Sequence, residues 1–186
     1  MEWTIPGTVL TGPREDVEYS IRQIEGMFLG GGMIRSQLAS VSGVEAHDIQ
    51  NWVKRGFLPN PVNKRYSIRQ FSRIVTINML RTAMPMERIC SLLRYVNGKL
   101  DDESDDLIDD TVLYFMFLRL AARARHIGGT DTWEEALAEI LADYDEPIPG
   151  AKERIDKVLR IMLTAWIGVR TIQKADQMLS ELYEEG

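Results

Sequence analysis

The chain has 186 residues, 45% of them hydrophobic, with 22 Lys and Arg against 28 Asp and Glu for a formal net charge of −6. That balance describes a globular chain of one or two small domains. No apolar run approaches the roughly 18 to 20 residues of a membrane span, the longest being Val112 to Leu118, and a single cysteine, Cys90, excludes an internal disulfide framework. The first ten residues carry no basic segment ahead of a long apolar one, so no secretory signal and no membrane partner are expected, and a reducing cytoplasm is the expected location.

Residues 1–12 read as extended or disordered, broken by Pro6, Gly7 and Gly12. Pro13 to Met27 reads as a helix, with Pro13 in its first turn and Val17, Ile21, Ile24 and Phe28 at helical spacing. Gly30-Gly31-Gly32 ends it as a flexible joint, because no strand precedes it and no phosphate-loop lysine follows. Two short helices come next, Ile34 to Val41 and Glu45 to Arg55, joined by a tight Ser42-Gly43-Val44 turn. This is the helix-turn-helix pattern, and Gly56 caps the second helix.

Pro59 and Pro61 make Phe57 to Tyr66 an extended, edge-type segment. Ser67 and Gln70 form a capping box for a helix reaching Ala83, and Pro85 opens another reaching Val96. The acid run Asp101 to Asp110 lacks the glycine and spacing of a calcium loop, and reads as a linker entering a helix N-terminus. Helices are then expected over Val112 to Ile127, ended by Gly128-Gly129, from Thr130 or Asp131 to near Tyr144, and from Ala151 to Glu185. Along the last, Ile155, Val158, Met162, Ala165, Val169, Ile172 and Leu179 form an apolar seam. It serves either a second subunit or the chain's own core.

Charge is unevenly placed. Met33 to Lys99 holds 11 cations and three acids, a balance of +8, which leaves −14 for the remainder. A basic block inside an acidic chain suggests a local polyanion site. Projection at 100° per residue turns Ala46, Ile49, Trp52 and Val53 inward, and His47, Asn51 and Lys54 outward with Gln50 and Arg55 flanking them. Asn, Gln and Lys can read base edges, while Lys64, Arg65, Arg69 and Arg73 are placed to reach phosphates. Tyr66 either gives its hydroxyl to a phosphate or anchors the extended segment to the core.

Ile34 to Val96 resembles the DNA-binding head of MerR-type regulators. The likeness lies in Leu38-Ala39, the Ser42-Gly43-Val44 turn, the run from Lys54 to Leu58, the proline-bearing wing ending in Lys64 to Ser67, and the helix pair after it. More closely, Ile49 to Gly56 with the acidic linker is similar to an uncharacterised bacterial family that joins such a head to a helical C-terminal domain. The resemblance implies a mainly all-α protein with a winged helix-turn-helix head and a small wing. Its segments would be an N-terminal extension at 1–32, the head at 33–99, the acidic linker at 100–110 and a helical domain at 111–186. It implies base contacts from His47, Gln50, Asn51 and Lys54, and phosphate contacts from Arg35, Ser36, Arg55, Lys64, Arg65, Tyr66, Arg69 and Arg73.

The expected function is a sequence-specific double-stranded DNA-binding regulator, a homodimer through its C-terminal helices, with no enzyme activity, cofactor or metal. An adaptor that keeps the fold without binding DNA is the alternative. No nucleophile–base pair or paired-acid motif accompanies the two histidines, His47 and His126. An effector remains unidentified, although Phe115, Phe117, Trp133, Tyr144 and Trp166 could line a pocket for one.

Overall fold

A computed structural model describes residues 2–100, 103–124 and 130–184. The Asp101-Asp102 start of the acid run, His126, the expected helix end at Ile127, Gly128-Gly129 and Glu185 lie outside those residues. The described chain is mainly helical, with eight α-helices and two small sheets.

Of the two expectations for the N-terminus, extended or disordered, the first holds, in ordered form. Glu2–Thr4 (β1) pairs antiparallel with Thr11–Pro13 (β2), Trp3 opposite Gly12. Trp3 and Ile5 are buried, and the connecting turn is closed by Ile5 N–H to Leu10 O at 2.8 Å and Thr8 N–H to Ile5 O at 3.0 Å. Gly7 sits at φ 78°, and a Cβ there would meet the Val75 carbonyl oxygen at 2.1 Å. The local sequence is full of breakers, and it is burial against distant helices that orders it. Pro13 thus belongs to a strand, and the first helix, Val17–Met27 (α1), begins later, capped by Asp16, whose carboxylate accepts from Tyr19 N–H at 3.0 Å.

Met33–Ile34 (β3) leads directly into Arg35–Ser42 (α2). Gly43, at φ 70°, closes that helix by donating to Ala39 O, and Ala46–Lys54 (α3) follows. Arg65–Tyr66 (β4) returns antiparallel to β3, Ile34 facing Arg65 and Met33 facing Tyr66. The expected capping box opens Ile68–Leu80 (α4): Ser67 Oγ accepts from Gln70 N–H at 3.2 Å, and Gln70 Oε1 accepts from Ser67 N–H at 2.9 Å. That helix ends at Leu80 rather than Ala83, and Met86–Asn97 (α5) follows Pro85. A 3-10 turn at Glu103–Asp105 precedes Asp110–Arg123 (α6), Thr130–Ala142 (α7) and Ala151–Glu184 (α8).

Helix α4 is buried at every position from Gln70 to Leu80 except Asn78, and it packs against α6. One apolar cluster runs from Trp3 to Ile167 and draws on each of the eight described helices. Aromatic edges stitch it together, Phe71 against Tyr114 at 6.5 Å, Phe117 against Trp166 at 6.0 Å and Trp3 against Trp166 at 6.4 Å.

Helix α8 buries one part of its seam and exposes another. Ile155, Val158, Met162 and Val169 are buried within the subunit, so most of that seam is core. The rest of the seam stays outside, Ala165 half-buried and Ile172 and Leu179 exposed, and with the exposed Ile161, Gly168, Ala175 and Leu182 these residues form an outward stripe. Steps of four and three residues alternate along all seven, and from Arg170 to Tyr183 every residue is exposed. This stretch carries the helix about 20 Å past its own core at 1.5 Å per residue. No helix among the described residues is long and apolar enough to cross a membrane.

Candidate nucleic-acid interface

Helix α3 divides as its sequence predicts. Ile49 and Trp52 are buried, while His47, Gln50, Asn51 and Lys54 are exposed. Gln50, Asn51 and Lys54 have no side-chain hydrogen bond to any described residue, so nothing described in the fold occupies that face. His47 leans on Asp48 (3.1 Å), whose other oxygen lies 3.4 Å from Arg81. Arg81 also covers the Trp52 ring at 5.7 Å. Arg55 turns toward α5, 3.4 Å from Glu87, with its guanidinium over Phe57 at 4.6 Å.

The extended segment after α3 ends in a two-residue hairpin. Val62 and Arg65 exchange backbone hydrogen bonds at 3.1 and 2.8 Å across Asn63 (φ 50°) and Lys64 (φ 62°). Two consecutive left-handed residues characterise a type I′ turn, whose twist suits a β-hairpin. Lys64 is therefore held at an exposed apex. Arg65 is exposed but tethered, donating to Gly32 O at 2.8 Å. The register of β3 on β4 brings Arg35, which follows Ile34, close to this hairpin, and Arg35 and Ser36 lie exposed in the first turn of α2. Tyr66 is 4% exposed and its ring belongs to the apolar cluster. Burial pushes its phenol above the ordinary range, against the Arg35 charge. Its burial supports anchoring over phosphate contact.

Arg69 and Arg73, expected on the phosphate track, are turned inward. Arg69 forms an ion pair with Asp106 and lies 3.4 Å from Asp109 and 3.7 Å from Asp110. Arg73 is buried, 3.2 Å from Asp110, and donates through Nε to Phe57 O at 3.1 Å. Burial holds Asp106 and Asp110 above the usual carboxylate range despite these partners. The acid run does enter a helix as expected, with Asp109 capping α6 through Thr111 N–H. The linear sequence did not reveal that it also folds back on α4. The only cue was charge, acids in one segment and surplus cations in another, and charge alone does not say which cation each acid meets.

The arrangement is thus a mainly helical body presenting a polar helix face and a cationic hairpin. Residues 34–117 match the family described as Domain of unknown function (DUF1836), an uncharacterised family's domain that spans α2 to α5, the acid run and part of α6. Among curated proteins the chain is similar to "Uncharacterized protein YkrK" of Bacillus subtilis (strain 168), at 25% identity over 136 residues, 71% of this chain and 55% of the relative. The chain therefore spans about half the length of the curated relative it matches. No solved structure matches it.

Proposed function

We propose that the protein is a sequence-specific double-stranded DNA-binding regulator whose winged helix-turn-helix is formed by α2, α3 and the hairpin at 62–65. The observation that carries this reading is the outward face of α3, where Gln50, Asn51 and Lys54 are exposed with no partner among the described residues. Amides read adenine edges and lysine reads guanine in the major groove. Lys64, Arg65, Arg35 and Ser36 supply backbone contacts beside that helix, which position the protein without specifying sequence. The resemblance of Ile34 to Val96 to MerR-type heads supports the same assignment. Arg69, Arg73 and Tyr66 are left out of the contact set because they are spent inside the fold.

The regulator acts as a homodimer. Its support is the exposed stripe from Ile161 to Leu182, whose four-and-three spacing is that of a coiled-coil seam. A twofold pair of heads reads a near-palindromic site.

Fluorescence anisotropy with random and selected duplexes across a salt series tests the function. Replacing Lys64 and Arg65 together by Ala is expected to weaken binding to every sequence and lower the salt slope by up to about 2. Asn51→Ala is expected to cost about 1–3 kcal/mol of discrimination at one base pair. Flow-through on heparin and on random DNA at low salt would instead identify a protein-interaction adaptor. Light scattering tests the dimer, which Leu179→Glu should convert to monomer.

A further inference from the structure

A cleft of about 820 Å³ lies where α8 leaves the core, against β1 and the end of α6. It differs from the pocket that aromatic composition suggests. Phe115 and Phe117 are buried in the core, and the Tyr144 hydroxyl donates to Leu107 O at 2.5 Å, so of those rings only Trp166 borders the cleft.

The charge of the cleft is unusual for its surroundings. Outside Met33–Lys99 the chain has 25 acids and 11 cations, yet among the described residues the lining holds three cations, Arg14, Arg170 and Lys174, and no acid. The cations are set around an apolar floor. The Arg170 guanidinium stands over the Trp166 ring at 4.9 Å, and Ile167 lies beside it. Arg14 is fixed by the carbonyl oxygens that end α6, with Nε to Ala122 O at 2.9 Å and Nη2 to Ala121 O at 3.1 Å and to Ala124 O. Its guanidinium also covers Trp3 at 5.6 Å. Thr171, Gln173 and Gln177 add polar groups along the α8 wall.

We infer that this cleft binds a small aromatic carboxylate. The ring would lie on Trp166 and Ile167, and the carboxylate would meet Arg170 and Lys174. Arg is suited to fork-like recognition of a carboxylate, and the volume falls within the range of small-molecule sites, about 300–1,000 Å³. A neutral ligand would leave those cations desolvated without compensation, and a cation would be repelled. This assignment is independent of what the α3 face reads.

Isothermal titration of the full chain with benzoate, cinnamate and 2-naphthoate, each paired with its neutral amide, tests it. At least one acid should bind saturably at one site per chain, and its amide at least tenfold more weakly. The double variant Arg170→Gln, Lys174→Gln should weaken the acid at least tenfold with an unchanged unfolding midpoint, because both side chains are exposed. Lys174→Glu should weaken the acid further while sparing the amide. Absence of saturable binding for all three acids up to 1 mM, equal binding of acid and amide, or full binding by the double variant would each overturn the inference.

Discussion

Arg73 and Asp110 face each other at 3.2 Å, each almost sealed from solvent, and so bolt α4 to the first turn of α6. Removing one partner of a buried pair strands the other charge. Arg73→Met is expected to cost about 3 kcal/mol, near the low end for such a break because the Asp110 carboxyl left behind can take up a proton. Urea denaturation at pH 7 measures it.

The same carboxyl gives a pH dependence whose sign is fixed by burial. Burial raises the folded pKa of Asp110 above its unfolded value, so the folded state holds the proton more tightly. Its contribution to stability is full below the unfolded pKa, about 3.9, and is lost as pH rises through the folded value. Glu18 runs the other way. Arg119 donates to both its oxygens, at 2.6 and 3.0 Å, and holds the carboxyl below its usual range. Its contribution is present above the unfolded pKa and disappears as pH falls through the folded one. The pair is half-exposed, so Glu18→Gln should cost no more than about 1 kcal/mol at neutral pH and almost nothing at the acid end. Unfolding curves from pH 3 to 7 should show Asp110→Asn and Glu18→Gln changing slope in opposite directions.

Lys64 should separate stability from binding. Its φ of 62° is left-handed, a conformation that costs a non-glycine residue about 1 kcal/mol or more. Lys64→Gly is therefore expected to raise stability by about that amount and still lower the salt slope of DNA binding by about 1. Thermal unfolding and anisotropy on the same preparation read both effects. A loss of stability would mean that the Lys64 side chain supports the hairpin.

Gly7 and Tyr114 test the N-terminal hairpin. A Cβ at position 7 meets the Val75 carbonyl at 2.1 Å, so Gly7→Ala should cost about 3 kcal/mol from crowding and left-handed strain. Tyr114 donates to Pro6 O at 2.8 Å in the buried core. Tyr114→Phe should cost about 1–2 kcal/mol by leaving that acceptor unpaired. Early hydrogen exchange confined to β1 and β2 would mark the hairpin as the part released.

What could be read from the sequence was local. The Ser67–Gln70 box, the tight turn at Gly43 and the inward Ile49 and Trp52 all depend on residues within a few positions of one another, and all appear in the structure. The hairpin at 2–13 depends on Val75, Tyr114 and Trp166, so its breaker-rich sequence left extended and disordered both open. Periodicity identified the apolar side of α8 but could not apportion it, because a helix with two apolar stripes shows the same spacing whether the neighbour is its own core or another chain. In the candidate interface the exposed side chains of α3 were legible. The fate of Arg69 and Arg73 was not, since it is set by acids 37 positions away for each closest pair.

The ring contact between Trp3 and Trp166 has a consequence for biosynthesis. The two residues are 163 positions apart, so at about 5–20 residues per second the second is added roughly 10 to 30 s after the first. Throughout that interval the indole of Trp3 has no ring to meet, and the newly made hairpin must stay soluble without its eventual seat. A ribosome stalled before Trp166 would thus display the unseated indole of Trp3 to any chaperone that samples nascent chains.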